Sequence, residues 1–460
     1  WNRLMPIHVL GICGTLMGSI ALLARQQGHT VTGSDQNVYP PMSVQLQQAG
    51  ISLQAPYSAT SIPDKTDLVI IGNANLARGN PAVEALLESG IAYCSGAEYL
   101  GRYVLGNKWV IAVAGTHGKT TTASMVTWIL DYANLSPGFL IGGVPTNFQY
   151  SAKLTESNFF VIEADEYDTS FFDRRSKFLH YRPRTVILNN LEYDHADIFD
   201  NLEAIQQQFH LLMRAIPGNG LIILPDGDSA LEEVIRQGCW TPTVNFSTNL
   251  DSQAEVQAVL VTADGAEFNI IVANEYQGTI NWKLTGQHNV RNACAAIAAA
   301  RHAGVPPTSA IKALNEFNGV KRRMECLIDH PRLKLYDDFA HHPTAIRTTL
   351  EGLRAQVQGE TIIALIEPGS ATMRKGIHGA ELITATEPAD QVLWMQPDNI
   401  QFQLGALLPD SNHQLFTNSQ LLVQAAHDLV SVSEKTVHLV MMSNTSFQGI
   451  ASILTAKLSQ

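Results

Sequence analysis

Ala114-Gly-Thr-His-Gly-Lys-Thr-Thr-Thr122 follows the apolar run Trp109-Val-Ile-Ala-Val113. An apolar strand that empties into a Gly-Lys-Thr turn and then a helix makes a phosphate cradle. Backbone N–H groups and the helix N-terminus face the anion, Lys119 neutralises it, and a threonine hydroxyl can reach a magnesium ion. The strict pattern has glycine five residues before Gly118, where this chain has Val113, so the loop is a variant. The plainer alternative is a glycine turn between strand and helix. The cradle reading predicts that a nucleoside triphosphate is consumed.

Working outward, a helix begins at Lys119 with Ala123, Val126, Leu130 and Ala133 at the spacing of one buried face. Strands are predicted over 159–162, 186–188, 221–224 and 244–246, and an Ala-rich helix over 292–302. Upstream lie strands at 7–11, 31–33 and 68–71, with a helix through 21–27 behind the turn Gly11-Ile-Cys-Gly-Thr-Leu-Met-Gly18. Downstream, strands are expected at 334–336, 362–366, 391–395 and 437–441. Strands alternating with helices predict parallel sheets. The 460 residues suggest about three domains at ~150 residues each. We place them at 1–107, 108–323 and 324–460, an α/β chain with Rossmann-like first and third domains around a P-loop-type centre.

Lys plus Arg is 30 against 42 Asp plus Glu, a net charge of −12, which argues against a nucleic-acid or anionic-membrane partner. Cys13, Cys94, Cys239, Cys294 and Cys326 are odd in number and widely spaced, so their pattern indicates neither a disulfide framework nor a cysteine-zinc site. No apolar run approaches the ~20 residues that span a bilayer, and no basic-then-apolar leader opens the chain. A cytoplasmic location is expected.

Several polar clusters fall at predicted strand ends or helix starts. Gly11, Gly14 and Gly18 open a helix, and Asp35 ends the next strand; phosphates can lie on the helix end and a ribose on the acid. Glu163 ends a strand beside the phosphate loop, where a magnesium-ligating carboxylate belongs, with Asp165, Glu166 and Asp168 in the same turn. A solvated acidic loop is the alternative there. His195 leaves another buried strand between Asp194 and Asp197 and can ligate a metal or orient a ligand. Asn289 and Asn292 are three apart and can read an adenine edge, unless they merely cap a helix. Arg322-Arg323 stands at the proposed hinge and can clamp a phosphate on closure. Asp338 can take ribose hydroxyls, or cap a helix; a histidine of His341-His342 can contact an incoming substrate.

Taken in order, Gly115-Thr-His-Gly-Lys-Thr-Thr121, Glu163-Ala-Asp-Glu166, Asn189-Asn-Leu-Glu-Tyr-Asp-His195, His288-Asn-x-x-Asn292, Lys321-Arg-Arg-Met-Glu325 and Asp337-Asp-Phe-Ala-His-His-Pro343 resemble the ATP-dependent Mur ligase superfamily. The resemblance covers roughly residues 7–380. It implies three α/β domains for a UDP-sugar, ATP and an amine substrate. Gly14, Thr15, Met17, Gly18, Ser34 and Asp35 would lie at the UDP-sugar. Gly115, Thr116, His117, Gly118, Lys119, Thr120 and Thr121 would hold the ATP phosphates. Thr120, Glu163 and His195 would surround magnesium. Asn289 and Asn292 would take adenine, Arg323 the phosphates and Asp338 the ribose, with His342 near the incoming amine. Lys119, His195, Arg323 and His342 would carry the catalysis.

Within that family, Gly11–Gly18, Glu163-Ala-Asp-Glu-Tyr-Asp-Thr-Ser-Phe-Phe-Asp173 and Glu367-Pro-Gly-Ser-Ala-Thr-Met-Arg374 are similar to the branch that reuses cell-wall peptide. That branch implies UDP-N-acetylmuramate, ATP and the tripeptide L-alanyl-γ-D-glutamyl-meso-diaminopimelate as substrates. The L-alanine-adding branch of de novo peptidoglycan synthesis is the alternative. No lysine occurs between Lys177 and Lys283, so the carbamylated lysine of several family members has no counterpart. Gly369 stands where the reuse branch usually has arginine.

Overall fold

The structure is a computed structural model and describes residues 3–38, 42–72, 76–249, 251–409 and 412–458. Among the described residues, three large sheets follow one another along the chain, with a two-stranded hairpin beside them. In the first, the strands run Ser52–Gln54, Thr30–Ser34, Pro6–Leu10, Leu68–Ile71, Ala92–Ser95 across the sheet, all parallel. Pro6–Leu10 is central, and the chain winds away from it on both sides. Its register pairs Leu10 with both Ser34 and Ile71, so a crevice opens beyond Leu10 where the strand order reverses. The helix Thr15–Gln26 starts at that crevice.

The second sheet has ten strands, with Trp109–Ala114 between Thr185–Leu188 and Phe159–Glu163. These three are parallel, as expected of buried apolar runs. The parallel expectation fails at the edges. Val256–Leu260, Glu267–Val272 and Glu275–Asn281 form an antiparallel meander. Its second turn is made by Ala273 and Asn274, with φ of 51° and 63°. Two left-handed residues close a tight hairpin and are far too few for a parallel crossover. The helix Lys119–Tyr132 also differs from the single-face reading. Thr120 to Thr127 are all buried, because the helix is covered by the sheet and by the helix Gln287–His302. The latter starts five residues before the predicted 292, which puts Asn289 and Asn292 both inside it.

The third sheet runs Glu325–His330, Leu333–Asp338, Val437–Met442, Thr361–Ile366, Gln391–Met395, His413–Phe416. Its antiparallel edge Glu325–His330 escaped the sequence reading because it is half exposed and its apolar stretch is only Cys326-Leu327-Ile328, flanked by charged residues. Asp337 and Asp338 end their strand instead of following it.

One apolar core contains residues of both the first and second sheets, from Ile7 to Val234. The faces of the third sheet pack into two separate cores. A small hairpin, Asp168–Ser170 with Asp173–Ser176, leaves the second sheet and leans on the first, with Phe172 edge-on to Tyr93 at 5.1 Å. No helix among the described residues is long and apolar enough to cross a membrane.

Candidate active site

The loop between Ala114 and Lys119 is shaped by two glycines. Gly118 has φ 78°, and a Cβ there would stand 2.7 Å from Asn292 Oδ1 and 2.8 Å from Asn189 Nδ2. Gly115 has φ 121°, and its Cβ would meet the Asn190 carbonyl oxygen at 2.8 Å. Neither position admits a side chain without shifting the asparagines of the neighbouring strand end. Those asparagines fasten the loop: His117 N–H donates to Asn190 Oδ1 at 2.8 Å, and Asn189 Nδ2 donates to Thr122 Oγ1 at 2.9 Å. Lys119 Nζ folds back to donate to the Gly115 carbonyl at 2.6 Å and lies 3.4 Å from Glu166 Oε2.

Acids converge on this lysine. Thr120 Oγ1 lies 3.1 Å from each oxygen of Glu163, and Gly142 N–H donates to Glu163 at 2.7 Å. His195 Nε2 sits 2.9 Å from Glu166 Oε1, while Lys177 Nζ is 3.0 Å from Asp165 Oδ2. The ligand atoms of Asp165, Glu166 and His195 all lie within 4.8 Å of one another. Burial alone would lower the pKa values of Lys119 and His195, but the surrounding carboxylates, Glu166 foremost, raise both. Burial would raise Asp165; the charges of Lys177, Lys119 and His195 hold it below the usual carboxylate range instead. The cluster is thus dense in negative charge and draws cations. His195 itself has φ 56°, an uncommon backbone state for a side-chain-bearing residue, of the kind that accumulates at functional sites.

The loop after Asp338 and the helix Pro343–Val357 of the C-terminal domain cover this cluster and close a cavity of about 840 Å³. Among the residues singled out from sequence, Thr116, His117, Gly118, Lys119, Thr120, Thr121, Glu163, His195, Asn289, Asn292, Arg323 and Asp338 line it. Arg323 Nη2 donates to Thr120 Oγ1 at 3.3 Å and its guanidinium lies 4.8 Å from the Phe339 ring. Its neighbour Arg322 is spent on structure, bonded to Asp337 and to the Ser443 and Thr445 carbonyls. Asp338 does not cap a helix; its oxygens accept from Met324 N–H and Ala340 N–H, both at 2.8 Å. The cap of the helix Pro343–Val357 is His342, whose Nδ1 accepts from Thr344 N–H. His342 is buried behind the cavity lining, beside Glu192. Asn289 and Asn292 are not helix caps either, that place being held by Gly286; Asn292 Nδ2 lies 3.4 Å from Asn289 Oδ1.

A smaller cavity of about 290 Å³ lies at the crevice of the first sheet. Gly14, Thr15, Met17 and Asp35 line it. Asp35 closes the glycine turn by accepting from Cys13 N–H at 2.8 Å. Two expected members stand elsewhere. Gly18 is buried under Met42, where a Cβ would collide with the thioether. The Ser34 hydroxyl turns inward to His8 Nε2 at 3.0 Å. Sequence reading missed Lys177, which lines this cavity together with Thr169 while pairing with Asp165 of the larger one. It lies outside every motif, at the foot of the hairpin, and only the fold brings it there. Glu192 was quoted within its motif without a role; its carboxylate contacts both domains.

Three parallel-sheet units, a phosphate loop and a charged interdomain cavity define a nucleotide-dependent ligase fold of the Mur type. Family profiles agree: the Mur ligase family catalytic domain matches residues 6–107, the Mur ligase middle domain 113–300, and the Mur ligase glutamate ligase domain 322–443. The chain belongs to the Mur ligase family. It is 50% identical over 457 residues, 97% of this chain and 96% of the relative, to the UDP-N-acetylmuramate–L-alanyl-γ-D-glutamyl-meso-2,6-diaminoheptandioate ligase of Escherichia coli K12. The crystal structure of a murein peptide ligase from Psychrobacter arcticus 273-4 superposes with a TM-score of 0.75 at 43% identity, covering 99% of both chains. A UDP-N-acetylmuramate–L-alanine ligase of Arthrobacter sp. FB24 is 33% identical over 83% of this chain and 80% of its own length.

Proposed function

We propose that the chain is an ATP-dependent, ADP-forming ligase that joins the lactyl carboxylate of UDP-N-acetylmuramate to the amino group of L-alanyl-γ-D-glutamyl-meso-diaminopimelate, in the cytoplasmic reuse of peptidoglycan fragments. The observation that carries the reading is Lys119, held by a glycine loop against an acid cluster in a cavity that the C-terminal domain closes. Identity of 50% to a ligase of that name supports this acceptor over free L-alanine, whose ligase is matched at 33%.

Carboxylate oxygen is a poor leaving group, so amide formation needs activation. The sugar-borne carboxylate attacks the γ-phosphorus of ATP, giving an acyl phosphate and ADP; the amine then displaces phosphate through a tetrahedral intermediate. Lys119 neutralises the phosphates and Arg323 adds a second charge from the hinge, so the chain supplies positioning and electrostatics. Asn289 and Asn292 hold adenine and Asp338 the ribose. The Thr120 hydroxyl and Glu163 carboxylate, held together, and the Asp165, Glu166 and His195 group are donors that fit magnesium. Magnesium would supply charge neutralisation on phosphate oxygens. Thr344 Oγ1 donates to Glu192 at 2.7 Å and Thr372 Oγ1 to Asp194 at 2.7 Å, sealing the cleft against water that would hydrolyse an acyl phosphate.

The test is ADP release with UDP-N-acetylmuramate and, in parallel, L-alanine, tripeptide and tetrapeptide. A tripeptide kcat/KM at least about tenfold above that of L-alanine is expected. A preference for L-alanine moves the enzyme to the other branch, and no ADP with any amine refutes both.

A further inference from the structure

His117, Glu192 and His342 meet where the central and C-terminal domains touch. His117 belongs to the phosphate loop, Glu192 to the loop after Thr185–Leu188, and His342 to the start of the helix Pro343–Val357. Glu192 Oε2 lies 3.2 Å from His117 Nε2 and 3.4 Å from His342 Nδ1, and the three atoms fall within 4.8 Å of one another. Ligand atoms about 2.0–2.1 Å from a tetrahedral ion are spaced about 3.3–3.4 Å apart, so both carboxylate–imidazole distances already match two edges of a zinc-like tetrahedron. Two imidazoles and one carboxylate suit a borderline transition ion, whereas magnesium prefers oxygen donors and several waters.

The surroundings orient two of the ligands. Thr344 Oγ1 fixes the carboxylate as an outer partner. The bond that an ion would replace at His342 Nδ1 is a long one, 3.3 Å from Thr344 N–H. A further imidazole stands by: the His378 ring is 4.5 Å from that of His342, and its Nε2 is buried without a hydrogen-bond partner.

We propose that His117, Glu192 and His342 bind one divalent transition ion of zinc type, apart from the oxygen donors Thr120 and Glu163, and that this ion locks the C-terminal domain onto the central one and stops turnover. The binding claim stands on its own geometry; the arrest of turnover rests on the ligase reading above.

Chelator-stripped protein in millimolar magnesium is titrated with Co²⁺, whose tetrahedral imidazole complexes absorb visibly while octahedral oxygen complexes barely do. One equivalent of a visible band, displaced by Zn²⁺, is expected. The band disappears in His342→Ala and Glu192→Gln and survives in His195→Ala. No band overturns the site, and so does a band lost in His195→Ala but kept in His342→Ala, which would assign the ion to the Asp165, Glu166 and His195 group. Wild-type crystals soaked in Zn²⁺ give a readout independent of variant folding: an anomalous peak between His117, Glu192 and His342 supports the site, and occupancy elsewhere overturns it. With UDP-N-acetylmuramate, tripeptide and ATP present, saturating Zn²⁺ lowers wild-type ADP release at least tenfold; unchanged release overturns the lock.

Discussion

The two cavities use the same backbone device and differ in charge. Each opens where a parallel strand runs through a glycine turn into a helix, Leu10 to Thr15 in one and Ala114 to Lys119 in the other. Among the described residues, the smaller is lined mostly by glycines and uncharged side chains, with Asp35 and Lys177 its charged members. The larger carries Lys119, Arg323, His195 and a set of carboxylates. A strand–turn–helix junction is enough to seat a phosphate. Turnover needs, in addition, fixed charges placed where new charge develops. On the proposed function, the first cavity would hold a substrate and the second would react it.

The strongest way to break the contrast is Lys119→Ala. ADP formation should fall at least about 10³-fold while calorimetric affinity for UDP-N-acetylmuramate stays within about twofold. Loss of both would mean that the cavities are not separable. Lys177→Met sharpens the boundary, because this lysine borders one cavity while pairing with an acid of the other. Its KM for the muramyl nucleotide should rise about tenfold, with the KM for ATP unchanged; a rise in the ATP KM alone would place Lys177 on the phosphate side.

A last effect concerns stability of the sheet under the first cavity. Burial lowers the His8 pKa from the ordinary value to about 4, between Thr32 Oγ1 at 2.8 Å and Ser34 Oγ at 3.0 Å. Below the unfolded value the unfolded chain binds the extra proton, so stability is intact above pH 6.5 and falls as pH drops toward 4. The loss should reach about 2 kcal/mol between pH 6.5 and 5. Hydrogen exchange of the strand Pro6–Leu10, corrected for intrinsic pH dependence, measures it, and His8→Gln should flatten the profile. A flat wild-type profile would dismiss the buried imidazole as the cause.

Most of the parallel framework was legible because buried strands are continuous apolar runs: 68–71 and 391–395 match the observed Leu68–Ile71 and Gln391–Met395. The meander beyond Val256 was not, since its strands are not continuous apolar runs, and its turn signals, Asp264-Gly265 and then Asn274, were not read as hairpins. Motif residues of the phosphate loop could be picked out because the loop is local, its spacing set by one turn and one helix. Lys177, and the contact of Glu192 with His342, could not be, because each pairing depends on segments that only folding brings together. Ser34 shows the converse. A strand-end serine reads as a ligand, yet a histidine on the adjacent strand, His8, takes its hydroxyl.

The apolar core that runs from Ile7 to Val234 unites the first two sheets into one rigid platform. The third sheet has cores of its own and joins that platform through Arg322 and Met324, both in left-handed backbone states with φ of 58° and 49°. The molecule is thus an anvil with one articulated arm. On the ligase reading, motion between lobes would fall at this joint and leave the first two lobes fixed to one another.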